Sequence, residues 1–291
     1  MSEGGRFLKW RIGDVTVTRI VEIEAIGGTR FILPDATYEA AQGIGWLYPH
    51  FADERGKLKM SIHALVVETP SKTIIVDTCI GNDKDRPIPA WSNLQTRFLD
   101  DLAEAGFARE DIDVVLCTHL HVDHVGWNTM LVDGAWVPTF PNARYLLGRE
   151  EFEYWRSGGL ESMATDGRVF VDSVQPVAEA GLVDLVDTDH LVCEEVSLTP
   201  TLGHTPGHVS VRISSKGEEA LITGDFVHHP CQLARPDWAS AADYDQAAST
   251  ETRRRMFAEL ADAPTLVIGT HFASPTAGKV VRDGDAFRLV V

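Results

Sequence analysis

The chain has 291 residues, of which 44% are hydrophobic and 24% are charged. This length and apolar content suffice for a full hydrophobic core, built as one large domain or as two small ones. The formal net charge of −17 repels nucleic acids and anionic membranes, so we expect neither as a partner.

Targeting signals and cysteines narrow the class of protein further. The residues from Met1 to Arg6 lack the apolar run of a signal peptide, and no stretch reaches the roughly 18 consecutive apolar residues of a membrane-spanning helix. We therefore expect a cytoplasmic protein. The cysteines contain no CxxC pair, which predicts reduced structural thiols rather than disulfides or a thiolate zinc site. They are Cys79, Cys117, Cys193 and Cys231.

In the first part of the chain, alternating apolar residues predict strands and helical spacing predicts one helix. The predicted strands are 15–21, 63–68, 73–77 and 113–117, and the predicted helix is 94–105. The turn Thr69-Pro70-Ser71-Lys72 joins two of these strands into an antiparallel hairpin, and Gly106 is placed to end the helix.

The second part of the chain continues the same alternation of strand and helix. Its predicted strands are 144–147, 209–213, 220–223 and 265–268, and its predicted helix lies near 252–260. The pattern is mixed α/β, and the absence of a low-complexity linker favours a single domain over 1–291. The segment 32–59, rich in Pro, Gly and aromatic residues, is expected to be a covering loop or an arm that forms a homodimer.

The densest group of chemically active side chains follows the strand that ends at Cys117. His119, His121, Asp123 and His124 lie within six residues. In an extended segment the first two histidines point to the same side, and a turn after them brings the other two around the same point. Imidazole and carboxylate groups together suit zinc, manganese, iron or cobalt.

Three further ligand candidates stand beside glycine or proline at predicted strand ends. They are the motif Gly203-His204-Thr205-Pro206-Gly207-His208, then Thr223-Gly224-Asp225, then Gly269-Thr270-His271. Each alone is more typical of a capping or packing residue. Together with the first group they supply seven ligands for two divalent ions that share one carboxylate, an arrangement that generates hydroxide near neutral pH. Zinc is the first choice of metal.

As an ordered set, these motifs resemble those of the metallo-β-lactamase superfamily. The resemblance implies a four-layer αβ/βα sandwich of two mixed sheets flanked by helices, with the site at one edge of the sheets. It assigns His119, His121 and His208 to one metal, Asp123, His124 and His271 to the other, and Asp225 to both. Asp77 matches an early aspartate of the superfamily, with Cys79 where glycine is more common.

The residues at two positions restrict which branch of the superfamily the chain resembles. True zinc β-lactamases commonly have cysteine at the position of Asp225, and flavodiiron proteins usually have glutamate at that of His121. The remaining pattern is similar to the branch of acyl-homoserine lactonases, glyoxalase II and methyl parathion hydrolase. The segments around Asp225 and His271 look most like the methyl parathion hydrolase and lactonase groups, although His228 stands where lactonases often have tyrosine.

The sequence therefore predicts a dinuclear metal-dependent hydrolase that uses a metal-bridging hydroxide on a small neutral ester, lactone or phosphotriester. Asp123 is expected to pass a proton to the leaving group. His228, Phe226 and Trp127 are expected to contact the substrate. His204 could orient His208 or bond to backbone in its turn, and is left out of the ligand set.

Aromatic residues are expected near the mouth of the site, with core packing as the alternative. They are Trp46, Tyr48, Phe51, Trp127, Trp136, Phe226 and Trp238.

Other functions remain open at this stage. A glyoxalase II-like thioester hydrolase needs a basic patch for the carboxylates of glutathione, and the one basic run, Arg253-Arg254-Arg255, is expected on a helix surface. A non-catalytic metal-binding scaffold would be supported by a missing ligand, and none is missing. A nuclease is disfavoured by the acidic balance.

Overall fold

The computed structural model describes residues 6–159 and 167–291, which contain two seven-stranded mixed sheets. The first sheet has the order β1-β2-β3-β4-β5-β8-β9 and the second runs from β10 to β16 in sequence order, while β6 and β7 pair separately. The strands are β1 Lys9–Ile12, β2 Val15–Ile26, β3 Lys59–Glu68, β4 Thr73–Val76, β5 Val114–Leu116, β6 Thr129–Val132, β7 Ala135–Pro138, β8 Arg144–Gly148, β9 Val183–Val186, β10 Leu191–Cys193, β11 Val196–Pro200, β12 Val209–Ser215, β13 Glu218–Ile222, β14 Leu266–Ile268, β15 Ala277–Asp283 and β16 Ala286–Val290. The helices are α1 Tyr38–Gln42, α2 Phe98–Glu104, α3 Arg149–Arg156, α4 Gly167–Ser173, α5 Gln175–Glu179, α6 Cys231–Ala234 and α7 Gln246–Leu260.

Strand direction changes within each sheet. The predicted hairpin is confirmed, since β3 and β4 pair antiparallel with Glu68 opposite Thr73. From β4 onward the first sheet is parallel through β5, β8 and β9. In the second sheet β13 and β14 are parallel and the other pairs are antiparallel. The parallel strands bring several loops to one edge, where the candidate ligands follow β5, β13 and β14.

Alternation along the strands divides the apolar side chains between two faces. Leu65 and Val67 of β3 join a core cluster shared with Val211 and Ile213 of β12, so this cluster lies between the sheets. Ala64 and other outward residues of the first sheet pack with α2, α4 and α5 in a second cluster. A third cluster joins the second sheet to α6 and α7. The predicted order of helix, sheet, sheet and helix layers is confirmed.

The segment 32–59 packs onto the third cluster rather than extending away from the described chain. Leu33, Leu47, Phe51 and Leu58 are buried there with α7. Ile32, at the start of the segment, lines the cavity described below. The segment therefore belongs to the packed fold around the site, and its part in a homodimer stays a prediction.

Both predicted helices are found in the structure, with bounds that differ from those expected. The helix predicted over 94–105 spans Phe98–Glu104 and is followed by Gly106, whose φ of +104° suits a glycine after a helix. The helix predicted near 252–260 begins earlier, at Gln246, because the Asp245 carboxylate caps it by accepting from the Ala248 amide.

All four cysteines are free, as predicted. No helix in the described ranges is both long and apolar enough to cross a membrane.

Candidate metal centre

The loop after β5 carries the first four candidate ligands and is buried. His119 and His124 have no exposed surface, and His121 is 5% exposed. The ring centroid of His119 lies 4.6 Å from that of His121 and 4.0 Å from that of His124. The side chain of Asp123 is 14% exposed and stands at the open side of this group. The predicted convergence of these residues is found in the structure.

Asp225 and His271 join the group from the second sheet. Asp225 follows β13, and its Oδ2 lies 3.3 Å from the Nε2 of His124 and 3.2 Å from the Nε2 of His271. The Oδ2 of Asp123 lies 3.6 Å from the same nitrogen of His271. Asp225 therefore stands at the middle of the cluster, where a shared ligand is expected.

The hydrogen bonds of His124 and His271 fix where their lone pairs point. The Nδ1 of His124 donates to the Asp77 carboxylate at 2.9 Å, and the Nδ1 of His271 donates to the Ser61 carbonyl at 3.1 Å. In the neutral rings both Nε2 atoms then carry lone pairs, and these atoms are 3.3 Å apart. Two lone pairs at this distance repel each other unless a proton or a metal ion lies between them. The arrangement fits a metal ion.

His119 is held in the same way by its neighbour Thr118. The Thr118 hydroxyl and amide both donate to Asp77, so the hydroxyl oxygen accepts from the Nδ1 of His119 at 3.1 Å. The Nε2 of His119 is buried and has no hydrogen-bond partner in the structure. Because an unpaired buried nitrogen is costly, this lone pair also fits a metal ligand.

His204, which the sequence left outside the ligand set, lies inside the cluster. Its Nδ1 donates to the buried Asp243 carboxylate at 2.8 Å, so its Nε2 carries the lone pair. That nitrogen lies 2.9 Å from the Nδ1 of His121 and 3.6 Å from the Oδ2 of Asp225. Ring nitrogens of His119, His121 and His204 all lie within 4.8 Å of one another, a spacing that one ion can bridge.

His208, which was expected to be a ligand, is placed differently. Its Nε2 accepts from the backbone N–H of Asp225 at 2.7 Å, and its Nδ1 lies 2.8 Å from the Thr201 hydroxyl. That hydroxyl is oriented by Ser210, whose own hydroxyl donates to the Thr223 carbonyl, so Thr201 accepts from His208. Both nitrogens of His208 are thus engaged, and the ring holds the backbone of Asp225. His204 thus contributes a ring nitrogen to the group around His119 and His121, while the role of His208 as a metal ligand stays a prediction.

Three of the histidines and Asp225 have pKa shifts toward the protonation states that metal ligands require. Burial lowers the pKa well below the usual range for His119, His121 and His204. Burial raises the pKa of Asp225, but the nearby His271 and His124 outweigh burial and bring it well below its usual range. The neutral imidazoles of these three histidines therefore lie beside an ionised carboxylate.

The cluster also contains more negative charge than its imidazoles balance. His124 lies within 3.6 Å of the carboxylates of Asp77, Asp123 and Asp225. Burial lowers the pKa of His124, yet these three carboxylates together raise it well above the usual value. Buried carboxylates at such density need cations beside them, and divalent ions meet that need.

A cavity of about 170 Å³ opens onto the cluster. Its polar floor is formed by His121, Asp123, His204, Asp225 and His228, and its walls include Phe31, Ile32, Ile88 and Trp91. The rings of Phe31 and Trp91 meet edge to face, 6.1 Å between centroids. Such apolar walls around a few polar groups are typical of a small-molecule site.

Of the three residues expected to contact substrate, the structure brings His228 to the cavity. Its Nε2 lies 3.3 Å from Asp225, and its buried Nδ1 has no hydrogen-bond partner in the structure. Trp127 instead stacks on Phe98 and donates to Glu22, and Phe226 packs on Phe257 in the core. The cavity lining in the described chain contains neither of them, because neighbours of a ligand in a tight turn point away from it.

Several residues of the site were not found from the sequence. Phe31 and Trp91 each end a short 3-10 helix that has no periodic pattern, and Asp243 is a lone acidic residue in a loop. Arg253 was expected on a helix surface, but it is buried on the inner side of α7, 3.7 Å from the Asp243 carboxylate. The apolar residues Met256 and Phe257 lie on the same side of α7 as Arg253, so they could have indicated that this side of the helix is buried.

Among the aromatic residues expected at the mouth, Phe51 lies in the third core cluster, with Trp46 and Trp238 packed against it. Trp136 lies over the Lys84 ammonium, 3.7 Å from the ring centroid, and Tyr48 is exposed. Core packing, the alternative considered, therefore accounts for three of these five residues.

Comparison with known proteins adds sequence and structural relatives. The family profile described as the metallo-beta-lactamase superfamily matches residues 59–271. N-acyl homoserine lactonase AttM of Agrobacterium fabrum is 30% identical over 184 residues, which cover 59% of this chain and 62% of the relative. An N-acyl homoserine lactonase of a Bacillus species is 25% identical over 185 residues, 58% of this chain and 64% of the relative. The chain thus spans less than two thirds of these relatives.

Two solved structures share the fold over nearly the whole chain. The hydrolase AbOPH of the beta lactamase superfamily superposes with a TM-score of 0.79 at 22% identity, covering 99% of this chain and 98% of its own. AidC, described as a dizinc quorum-quenching lactonase, superposes with a TM-score of 0.76 at 21% identity, covering 98% and 96%. From the profile match, which the two-sheet fold supports, we conclude that the chain belongs to the metallo-β-lactamase superfamily.

Proposed function

We propose that the protein is a dinuclear metal-dependent hydrolase of small neutral lactones or esters, with phosphotriesters as a further substrate class. One observation carries this proposal. The lone pairs of several buried histidines converge on the Asp225 carboxylate, which lies at the floor of a cavity with apolar walls. One ion would be held by His119, His121, His204 and Asp225, and the other by Asp123, His124, His271 and Asp225. Zinc is the first choice, and manganese, iron and cobalt also suit these ligands.

Divalent ions held there would supply a nucleophilic water near neutral pH and polarise the acceptor oxygen of the substrate. The chain itself orients the ligands through Asp77, Ser61 and Asp243, so that their lone pairs are fixed before substrate binds. The Asp123 carboxylate faces the cavity and would carry a proton to the leaving oxygen. His228, which lines the cavity beside Asp225, would donate a hydrogen bond to a substrate oxygen.

The cavity walls favour an apolar acyl group. A second cavity of about 110 Å³ adjoins the first and shares Phe31, Ile32, Trp91 and His228 with it. Its other lining residues include Ile23, Met60 and Ile62. A hydrocarbon chain beside the reacting carbonyl would bury apolar surface there. The lactonase relatives, which act on acyl homoserine lactones by name, support the same substrate class.

Two alternatives are less well supported. The residues that line the two described cavities include no lysine or arginine, which a glutathione thioester would need for its carboxylates. Arg253 is unavailable because it is buried beside Asp243. A non-catalytic scaffold would need a defect among the ligands, whereas His204 completes the set.

A substrate panel tests the proposal. We expect the purified protein to hydrolyse an acyl lactone or an aryl ester faster than a phosphotriester, and a glutathione thioester least. Activity should disappear after treatment with a chelator and return on addition of zinc, because the neutral imidazoles lose their ions. A preference for the thioester, or turnover that survives complete metal removal, would refute the proposal.

A further inference from the structure

A buried glutamate outside the ligand set joins the two loops that carry the ligands of one ion. Glu151 lies in the first turn of α3 and is 1% exposed. Its Oε1 accepts from the Leu120 amide at 3.1 Å, and its Oε2 accepts from the Gly207 amide at 3.0 Å. The Trp155 indole donates to the same Oε1 at 2.6 Å. Three N–H groups thus satisfy one buried carboxylate.

The two backbone amides that donate to Glu151 belong to the two loops that carry candidate ligands. Leu120 lies between His119 and His121, and Gly207 lies between His204 and His208. Each oxygen of the carboxylate therefore holds a different ligand loop. Three histidines on these loops face the cluster: His119, His121 and His204. Their ring nitrogens lie within 4.8 Å of one another.

The close approach of helix and loop at Gly207 supports this connection. A Cβ at that position would lie 2.5 Å from the backbone nitrogen of Glu151, so a larger residue would push the loop away from α3. The contact requires glycine, and the short distance lets the carboxylate reach the Gly207 amide directly. Trp155 adds a packing contact, since its ring lies 5.6 Å from that of His121.

We propose that Glu151 is a positioning residue that sets the spacing between the His119–His121 loop and the His204 loop, and thereby the affinity for the ion these histidines hold. The inference rests on the proposed dinuclear function. Removing one acceptor oxygen leaves one loop amide unpaired and lets that loop shift. The ion held by Asp123, His124 and His271 depends on other contacts, from Asp77 and Ser61.

The test is the variant Glu151→Gln, whose amide nitrogen would face a backbone N–H where an oxygen is needed. Zinc affinities are measured by competition with a chromophoric chelator, and the cobalt form is examined by its visible absorption. We expect the affinity for one of the two ions to fall about 10- to 100-fold, the range for partners of metal ligands. The other ion should bind nearly as in the wild type, and the cobalt spectrum should change.

Glu150→Gln is the matched control, since Glu150 is the preceding residue of α3 and is exposed. It should leave both affinities and the spectrum unchanged. Glu151→Asp, which keeps the charge but is too short to reach both loops, should weaken binding of the same ion. If a folded Glu151 variant binds both ions as the wild type does, the inference is wrong. Failure of both variants to fold would also overturn it, because Glu151 would then serve the fold.

The wild-type titration separates this inference from the proposed function. A wild-type protein that binds two ions while the Glu151 variants match it contradicts the role of Glu151 alone. A wild-type protein that binds no zinc contradicts the dinuclear function, and the inference with it.

Discussion

Replacing His204 with alanine is expected to reduce bound metal from about two ions per chain to about one, with loss of nearly all activity, because that ion loses one of its three proposed histidine ligands. The lone pair of this residue is aimed at the cluster by the Asp243 carboxylate and lies 2.9 Å from His121. Metal content after gel filtration and hydrolysis of the best panel substrate are the measurements.

His208→Ala is the matched comparison from the same motif. It should keep about two ions, since its nitrogens face Thr201 and the backbone of Asp225. Its main cost should be in stability, about 1–3 kcal/mol for the unpaired Asp225 amide. The opposite pattern, with metal lost from His208→Ala and retained by His204→Ala, would restore His208 as the ligand.

Asp123→Asn is expected to lower kcat by about 100- to 10,000-fold, the contribution typical of a positioned proton donor, with a much smaller change in KM. Asp123 lines the cavity and its carboxylate lies 3.6 Å from both His124 and His271. The amide can still offer one oxygen to a metal but has no carboxyl proton to pass to the leaving group. Steady-state kinetics of the metal-saturated variant measure the effect.

Asp133→Asn provides a control for loss of one negative charge, because Asp133 is exposed in the turn between β6 and β7. It should behave as the wild type. A near-normal kcat for Asp123→Asn at full metal content would show that another group carries the proton.

Much of the fold and the convergence of most candidate ligands could be predicted because the signals are local. Period-two alternation in 63–68 and 73–77 specifies both the hairpin and the faces its side chains occupy. The ligands His119, His121, Asp123 and His124 follow a buried strand at spacings that leave few other placements. These features depend on neighbours within one element, which a single sequence contains.

The choice between His204 and His208 could not be made in this way. Both lie in one Gly-His-Thr-Pro-Gly-His motif, and each would make a plausible ligand at the edge of a sheet. Their orientations are decided by Asp243, 39 residues from His204, and by the amide of Asp225, 17 residues from His208. Contacts at such separations depend on how the sheets pack.

The walls of the cavity were missed for a related reason. Phe31 and Trp91 are brought together from two short 3-10 helices, where no periodicity indicates which side chains face inward. Phe226 follows Asp225 directly and Trp127 lies shortly after His124 in sequence, but both side chains pack in the core. Closeness along the chain therefore indicated which residues converge on the cluster better than it indicated which residues line the cavity.

The metal content of the purified wild-type protein, determined by elemental analysis together with its hydrolytic activity, tests the central claim most directly. The dinuclear centre predicts about two divalent ions per chain, with activity that a chelator removes and zinc restores. A protein that holds no metal after supplementation, or that hydrolyses its substrate equally well without metal, would contradict it.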